Sequence, residues 1–211
     1  MCLCLCIRNS TLVCYRPAPV SGKGIRYGCE NRGKGSNVWI NTSNMIKKEL
    51  SIHYYEVDDK TMLPADEQHL VELARTMCDQ AYAPYSAFYV GAAVLLKNGE
   101  IIKGSNQENG AYPSGLCAER VAAFAASAMF PGVPMQKIAI SARSNRIQVG
   151  DPVSPCGACR QVLMEYELAQ DSPMKIILSK EGGKIRIIEK VADLLPLSFS
   201  GNGLKIKKKH N

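Results

Sequence analysis

The sequence predicts a three-layer α/β fold around a mixed five-stranded sheet whose last two strands are antiparallel, and three observations carry that expectation. Apolar residues recur at helical spacing in one early segment. Short apolar runs then alternate with alanine-rich or amphipathic segments, the pattern of helices packed on a sheet. The final two apolar runs are joined only by Glu181-Gly182-Gly183-Lys184. A parallel pair needs a crossover of a dozen or more residues, so this join makes the last pair antiparallel.

The elements follow in order. From Asp66, the residues Leu70, Val71, Ala74, Met77 and Ala81 mark an amphipathic first helix, which Pro84 stops. Phe88 to Leu96 reads as a buried strand, Asn98-Gly99 as a tight hairpin turn and Ile101 to Gly104 as the returning strand. After a loop from Asn106 to Leu116, the alanine-rich stretch Cys117 to Met129 reads as a helix. Lys137 to Ala142 is the third strand, a polar loop follows, and another helix opens near Cys156. Lys175 to Ser179 and Ile185 to Glu189 are the closing hairpin.

At 211 residues the chain is long enough for one well-buried domain. Its 46% hydrophobic and 21% charged residues are ordinary for a globular protein. No apolar run approaches the roughly 20 residues that span a bilayer, so no membrane partner is expected. The net charge of +7 does not point to nucleic acid, because it is concentrated at the ends. Arg8, Arg16, Lys23, Arg26, Arg32 and Lys34 face only Glu30 within residues 1–44, and Lys205, Lys207, Lys208 and Lys209 form a basic tail over residues 205–211.

Residues 1–44 lack periodicity and hold Cys2, Cys4, Cys6, Cys14 and Cys29, five of the nine cysteines. The expectation is that they are disordered or are not part of the native protein, with translation starting at Met45 and the working domain covering 45–204. Arg8 interrupts the apolar start before a secretory leader is complete. The remaining cysteines then suit a reducing cytoplasm, with Cys78 in the core.

The chemistry is concentrated in Cys117-Ala118-Glu119-Arg120 and Pro155-Cys156-Gly157-Ala158-Cys159-Arg160. A structural zinc site takes four protein ligands, whereas a catalytic one takes three and leaves a position open. Cys117, Cys156 and Cys159 supply three thiolates, and Glu119 suits proton shuttling. Both motifs fall where helices begin, and the unpaired N–H groups and positive dipole end there favour ionised thiols. Zinc deaminases combine such a ligand-x-Glu motif with a later Pro-Cys-x-x-Cys. Arg120 and Arg160 are placed to offset the excess negative charge of a three-thiolate site.

Three further segments extend the match: Ala83-Pro84-Tyr85-Ser86-Ala87-Phe88-Tyr89-Val90-Gly91-Ala92-Ala93, then Asn106-Gln107-Glu108-Asn109, and Leu194-Leu195-Pro196-Leu197-Ser198-Phe199. From about Asp66 to Phe199 the chain resembles the homotetrameric, zinc-dependent cytidine deaminases of pyrimidine salvage. The resemblance implies a Zn²⁺ cofactor, a nucleoside substrate, and hydrolysis of cytidine and deoxycytidine to uridine and deoxyuridine. It gives Glu119 the proton transfers and makes Asn106 and Glu108 a clamp on the ribose 3′-hydroxyl. Phe88, Tyr112 and the backbone at Ala118 and Ser154 would line the pocket, and Phe199 would reach a neighbouring subunit's site. Gly110 departs from the alanine usual in the family.

Three other readings compete. One is a deaminase of a cytosine-containing nucleoside antibiotic of the blasticidin S type, against which the spacing of Asn106 and Glu108 argues for a ribose. Another is an editing deaminase acting on RNA, whose usual first ligand is histidine and which needs a basic binding face. The third is a structural zinc module, which needs a fourth ligand. His53, His69 and His210 all lie far from both motifs in sequence.

Overall fold

The structure is a computed structural model that describes residues 6–8, 11–13 and 46–201. By their contacts the residues fall into two units, Met1–Leu50 and Ser51–Asn211. In the first, β1 (Cys6–Arg8) pairs antiparallel with β2 (Thr11–Val13). The expectations for the rest of residues 1–44, for Met45 and for the tail 205–211 lie outside the described residues.

The second unit contains β3 (Tyr55–Val57), α1 (Ala65–Met77), β4 (Phe88–Leu96), β5 (Ile101–Ser105), α2 (Ala118–Met129), β6 (Met135–Ser144), α3 (Gly157–Gln170), β7 (Lys175–Lys180) and β8 (Ile185–Ile188). The sheet has six strands in the order β3-β8-β7-β6-β4-β5, where five were expected. The additional strand, β3, is three residues long, and only Val57 is partly covered. It joins through backbone pairing to β8 and an ion pair from Glu56 to Arg186 at 2.7 Å, so it carries no apolar alternation to read. Within the sheet β6 and β7 are parallel, whereas β7 and β8 are antiparallel, as the short Gly-Gly join requires.

The central strands β4, β6 and β7 carry apolar runs because both of their faces are covered. On one face Ala92, Val94, Ile138, Ile140, Ile176 and Leu178 pack with Ala118, Ala122, Ala123 and Ala126 of α2 and with Leu163 and Met164 of α3. On the other, Ala93, Ala139 and Ile177 pack with Leu70, Val71 and Ala74 of α1. Odd and even residues of one strand thus serve different helices, as the period of two dictates. The result is three layers, α/β/α.

The helices approach closely because small residues face them. A Cβ on Gly91 would lie 2.0 Å from the Ala74 carbonyl oxygen, and one on Gly104 would lie 2.6 Å from the Ala122 nitrogen. The far end of the chain is fixed by buried Glu167 of α3. Its carboxylate accepts the N–H groups of Met174, Val191 and Ala192 at 2.9, 2.7 and 3.0 Å. That carboxylate holds the 3₁₀ turn Val191–Leu194 against the helix.

Gly91→Ala should lower stability by about 3 kcal/mol or prevent folding, because the added carbon meets backbone that cannot turn away. Gly150→Ala meets nothing within 4 Å and should stay within about 0.5 kcal/mol of the wild type. Urea unfolding midpoints check this, and equal midpoints for the two variants would contradict the close approach of α1.

Candidate active site

Two helix starts bring the cysteines together. Cys117 is the N-cap of α2 and Cys156 that of α3, both with extended backbone, and Cys159 lies within the first turn of α3. Neither cap closes a side-chain hydrogen bond onto its own helix, so both thiols point elsewhere. The three sulfurs lie within 4.8 Å of one another, with Cys117 to Cys156 at 4.0 Å and Cys156 to Cys159 at 3.4 Å. A tetrahedral site with metal–sulfur arms of about 2.3 Å has edges of about 3.8 Å, so these spacings fit a metal ion.

The protonation of the group says the same. The Cys117 thiol is lowered to about 5 by its hydrogen bond with the Cys159 thiol and by Arg120, while Cys159 is raised by that same bond and by burial. Ionising Cys117 therefore disfavours ionising Cys159, and a cation held among the thiols would relieve that opposition. Among the described residues the cluster holds these three donors, and neither His53 nor His69 joins it. His210 lies outside the described residues. The structural zinc reading thus lacks its fourth ligand among the described residues.

Glu119 sits one residue into α2 and is 5% exposed. Its Oε2 is buried with no hydrogen-bond partner among the described residues. Burial raises its carboxyl to about 7, with the nearby Cys117 charge adding to the effect. A buried carboxylate oxygen left unpartnered costs stability, and a perturbed carboxyl of this kind beside a thiol cluster is a candidate acid or base.

Arg120 reaches the Gly115 carbonyl at 3.4 Å and Cys117 Sγ at 3.9 Å, which brings its charge to that sulfur. Arg160 behaves differently. Its Nε donates to the Pro155 carbonyl at 2.8 Å and its Nη1 to the Leu194 carbonyl at 3.0 Å. It ties the Cys156 loop to the turn Val191–Leu194, and its hydrogen bonds go to carbonyls where sulfur was expected.

A cavity of about 820 Å³ opens beside the cluster, and Phe88, Asn106, Glu108, Tyr112, Cys117, Glu119, Arg120, Ser154 and Cys156 are among its lining residues. Ala118 is fully buried behind it, as is Cys159. Asn106 Oδ1 accepts the Val90 N–H at 2.7 Å and its Nδ2 donates to the Phe88 carbonyl at 2.9 Å, so the amide continues the edge of β4 beyond β5. One of its two N–H donors remains for the cavity. Glu108 accepts from Tyr85 and Ser86, and the Ser86 hydroxyl is the main reason its carboxyl is lowered.

Phe199 does not line this chain's cavity. It is 65% exposed, and its carbonyl accepts from Gln161 Nε2 of α3 at 3.1 Å. Tyr112 is 76% exposed at the cavity and meets Tyr85 edge to face at 6.0 Å. Tyr85, Ser86 and Val153 also line the cavity and went unassigned in the sequence. The signal available for the first two was their place inside Pro84-Tyr85-Ser86, a stretch that reads as a turn.

Residues 64–171, just over half of the chain, match the model of the cytidine and deoxycytidylate deaminase zinc-binding region. The chain belongs to the cytidine and deoxycytidylate deaminase family. Among relatives of this family, the cytidine deaminase of Halalkalibacterium halodurans is 40% identical over 139 residues, which cover 66% of this chain and 98% of that protein. The cytidine deaminase of Sporosarcina psychrophila is 41% identical over 140 residues, 66% of this chain and 95% of that protein. The crystal structure of the cytidine deaminase from Burkholderia pseudomallei superimposes with a TM-score of 0.54 at 38% identity, covering 62% of this chain and 97% of that one. The deaminase fold and family that the motifs implied are therefore the ones observed.

Proposed function

We propose that this chain is a zinc-dependent deaminase that hydrolyses cytidine and deoxycytidine to uridine and deoxyuridine in cytoplasmic pyrimidine salvage. The observation that carries the proposal is the buried, unpartnered Glu119 oxygen in the wall of a cavity that Cys117 and Cys156 also line, beside the cluster those two thiols form with buried Cys159. Cys117, Cys156 and Cys159 would hold the zinc. When bound, the ion supplies a Lewis acid that makes a water nucleophilic near neutral pH.

Glu119 carries the protons. Its Oε2 takes one from the attacking water and passes it to N3 as oxygen bonds to C4. It then takes the second water proton and gives it to the exocyclic nitrogen, so the C4–N bond breaks and ammonia leaves. Burial serves both halves of this cycle, because a carboxyl near 7 accepts and returns a proton at similar cost. Arg120 holds the charge of Cys117 in check. Phe88 offers an aromatic edge to the nucleoside, with Asn106 and Glu108 meeting the sugar.

A free nucleoside is favoured over a nucleotide. Arg120 is the cation among the described residues lining the cavity, and it is committed to Gly115 and Cys117. Among the described lining residues a substrate phosphate would meet no other Lys or Arg, and it would share the cavity with the Glu108 carboxylate. The antibiotic reading is weaker, since it leaves the Asn106 and Glu108 pair without a ribose to meet. No helix among the described residues is long and apolar enough to cross a membrane.

Glu119→Gln should keep about one zinc per chain while losing roughly 10² to 10⁴-fold in kcat for cytidine. Near-normal turnover would sink the mechanism, and loss of zinc would make Glu119 a ligand instead.

We propose further that the enzyme is a homotetramer with shared sites, because Phe199 is exposed and lies outside its own chain's cavity. Phe199→Ala should raise KM, and mixing it with Glu119→Gln subunits should recover activity that neither has alone. A fully active monomer in sedimentation would rule this out.

A further inference from the structure

The Glu108 carboxylate is held by more donors than meeting a ligand would require. Its Oε2 accepts the Tyr85 N–H at 2.9 Å and the Ser86 N–H at 3.3 Å, and its Oε1 accepts the Ser86 hydroxyl. A carboxylate offers about four acceptor positions, so three are filled and the one left is on Oε1. The Ser86 oxygen in turn accepts the Phe88 N–H at 3.0 Å. One small side chain thus ties the carboxylate to the start of β4, where Phe88 lines the same cavity.

The loop that presents Ser86 is fixed from several sides. Ala87 has a φ of 51°, a left-handed conformation that a residue with a Cβ adopts at a cost and keeps only where its surroundings impose it. Its N–H donates to the Ala83 carbonyl at 3.1 Å, and its own carbonyl accepts the Ser144 hydroxyl at 3.0 Å. Arg146 Nη1 donates to the Tyr85 carbonyl at 3.1 Å. Across from it, the N–H of Glu108 donates to the Tyr82 carbonyl at 2.8 Å, which locks the two segments in register.

We infer that Ser86 is a positioning residue for sugar recognition: it orients Glu108 so that Oε1 presents one acceptor position to a single sugar hydroxyl. The inference rests on the reading of Glu108 as the contact to the 3′-hydroxyl. Without the serine hydroxyl, Oε1 has two open positions and water competes for both. The carboxylate then also loses a bond that resists its rotation. The enzyme would still bind the base, but it would no longer distinguish as well between a sugar with the hydroxyl and one without.

The test compares kcat/KM for cytidine and for 3′-deoxycytidine in the zinc-loaded full chain, in Ser86→Ala and in Glu108→Gln. In the wild type, removing a hydroxyl that meets a carboxylate should cost roughly tenfold to a hundredfold. In Ser86→Ala that ratio should shrink by about threefold or more, and the loss for cytidine should fall mainly on KM. A merely structural role would slow both substrates alike and leave the ratio unchanged. An unchanged ratio in Ser86→Ala beside a collapsed ratio in Glu108→Gln overturns the positioning role and spares the reading of Glu108. An unchanged ratio in Glu108→Gln overturns both.

Discussion

Three thiols within 4.8 Å of one another are electrostatically frustrated, and the rest of this molecule is arranged around that frustration. Ionising Cys117 opposes ionisation of Cys159, with which it shares a hydrogen bond. The two helix starts and Arg120 supply partial compensation, and a divalent cation held by the thiols would supply the remainder. Glu119 is placed where the same field acts on it. Burial and the sulfur charge raise its carboxyl towards neutrality, which is what a residue that both takes and returns a proton needs.

The sheet sets the geometry of that cluster. Cys117 and Cys156 start two helices packed on the same face, and the alanines of α2 let it settle close to β4 and β5. Because the strands are buried on both faces, that packing leaves little freedom for either helix to slide. The turn Val191–Leu194 is fastened to α3 at two points, by Glu167 from within the helix and by Arg160 from its first turn. The segment carrying Phe199 thus leaves the body of the domain from a fixed place, beside the helix that begins at Cys156.

Much of this was legible in the chain because the signals were local. Helical spacing located α1, a Gly-Gly join dictated the antiparallel closing pair, and each cysteine motif sat at a helix start. What escaped depended on contacts between segments distant in sequence. Strand β3 has no apolar pattern and exists through its pairing with β8, about 130 residues on. Arg160 looked like a partner for sulfur from its position alone, but its side chain reaches a carbonyl at Leu194. Asn106 read as a ligand contact, yet two of its hydrogen bonds extend β4. Ser86 was invisible because its role is defined by Glu108 and by a left-handed Ala87 that no residue type announces.

The central claim is that three thiols and one carboxylate make a metal-dependent deaminase of cytidine. The loss of cytidine absorbance on conversion to uridine, followed before and after stripping the metal with a chelator and again after adding zinc, tests it most directly. The account predicts turnover that disappears with the metal and returns with zinc, accompanied by one ammonia per uridine. Turnover that survives complete removal of the metal, or a zinc-loaded chain that leaves cytidine untouched, would contradict it.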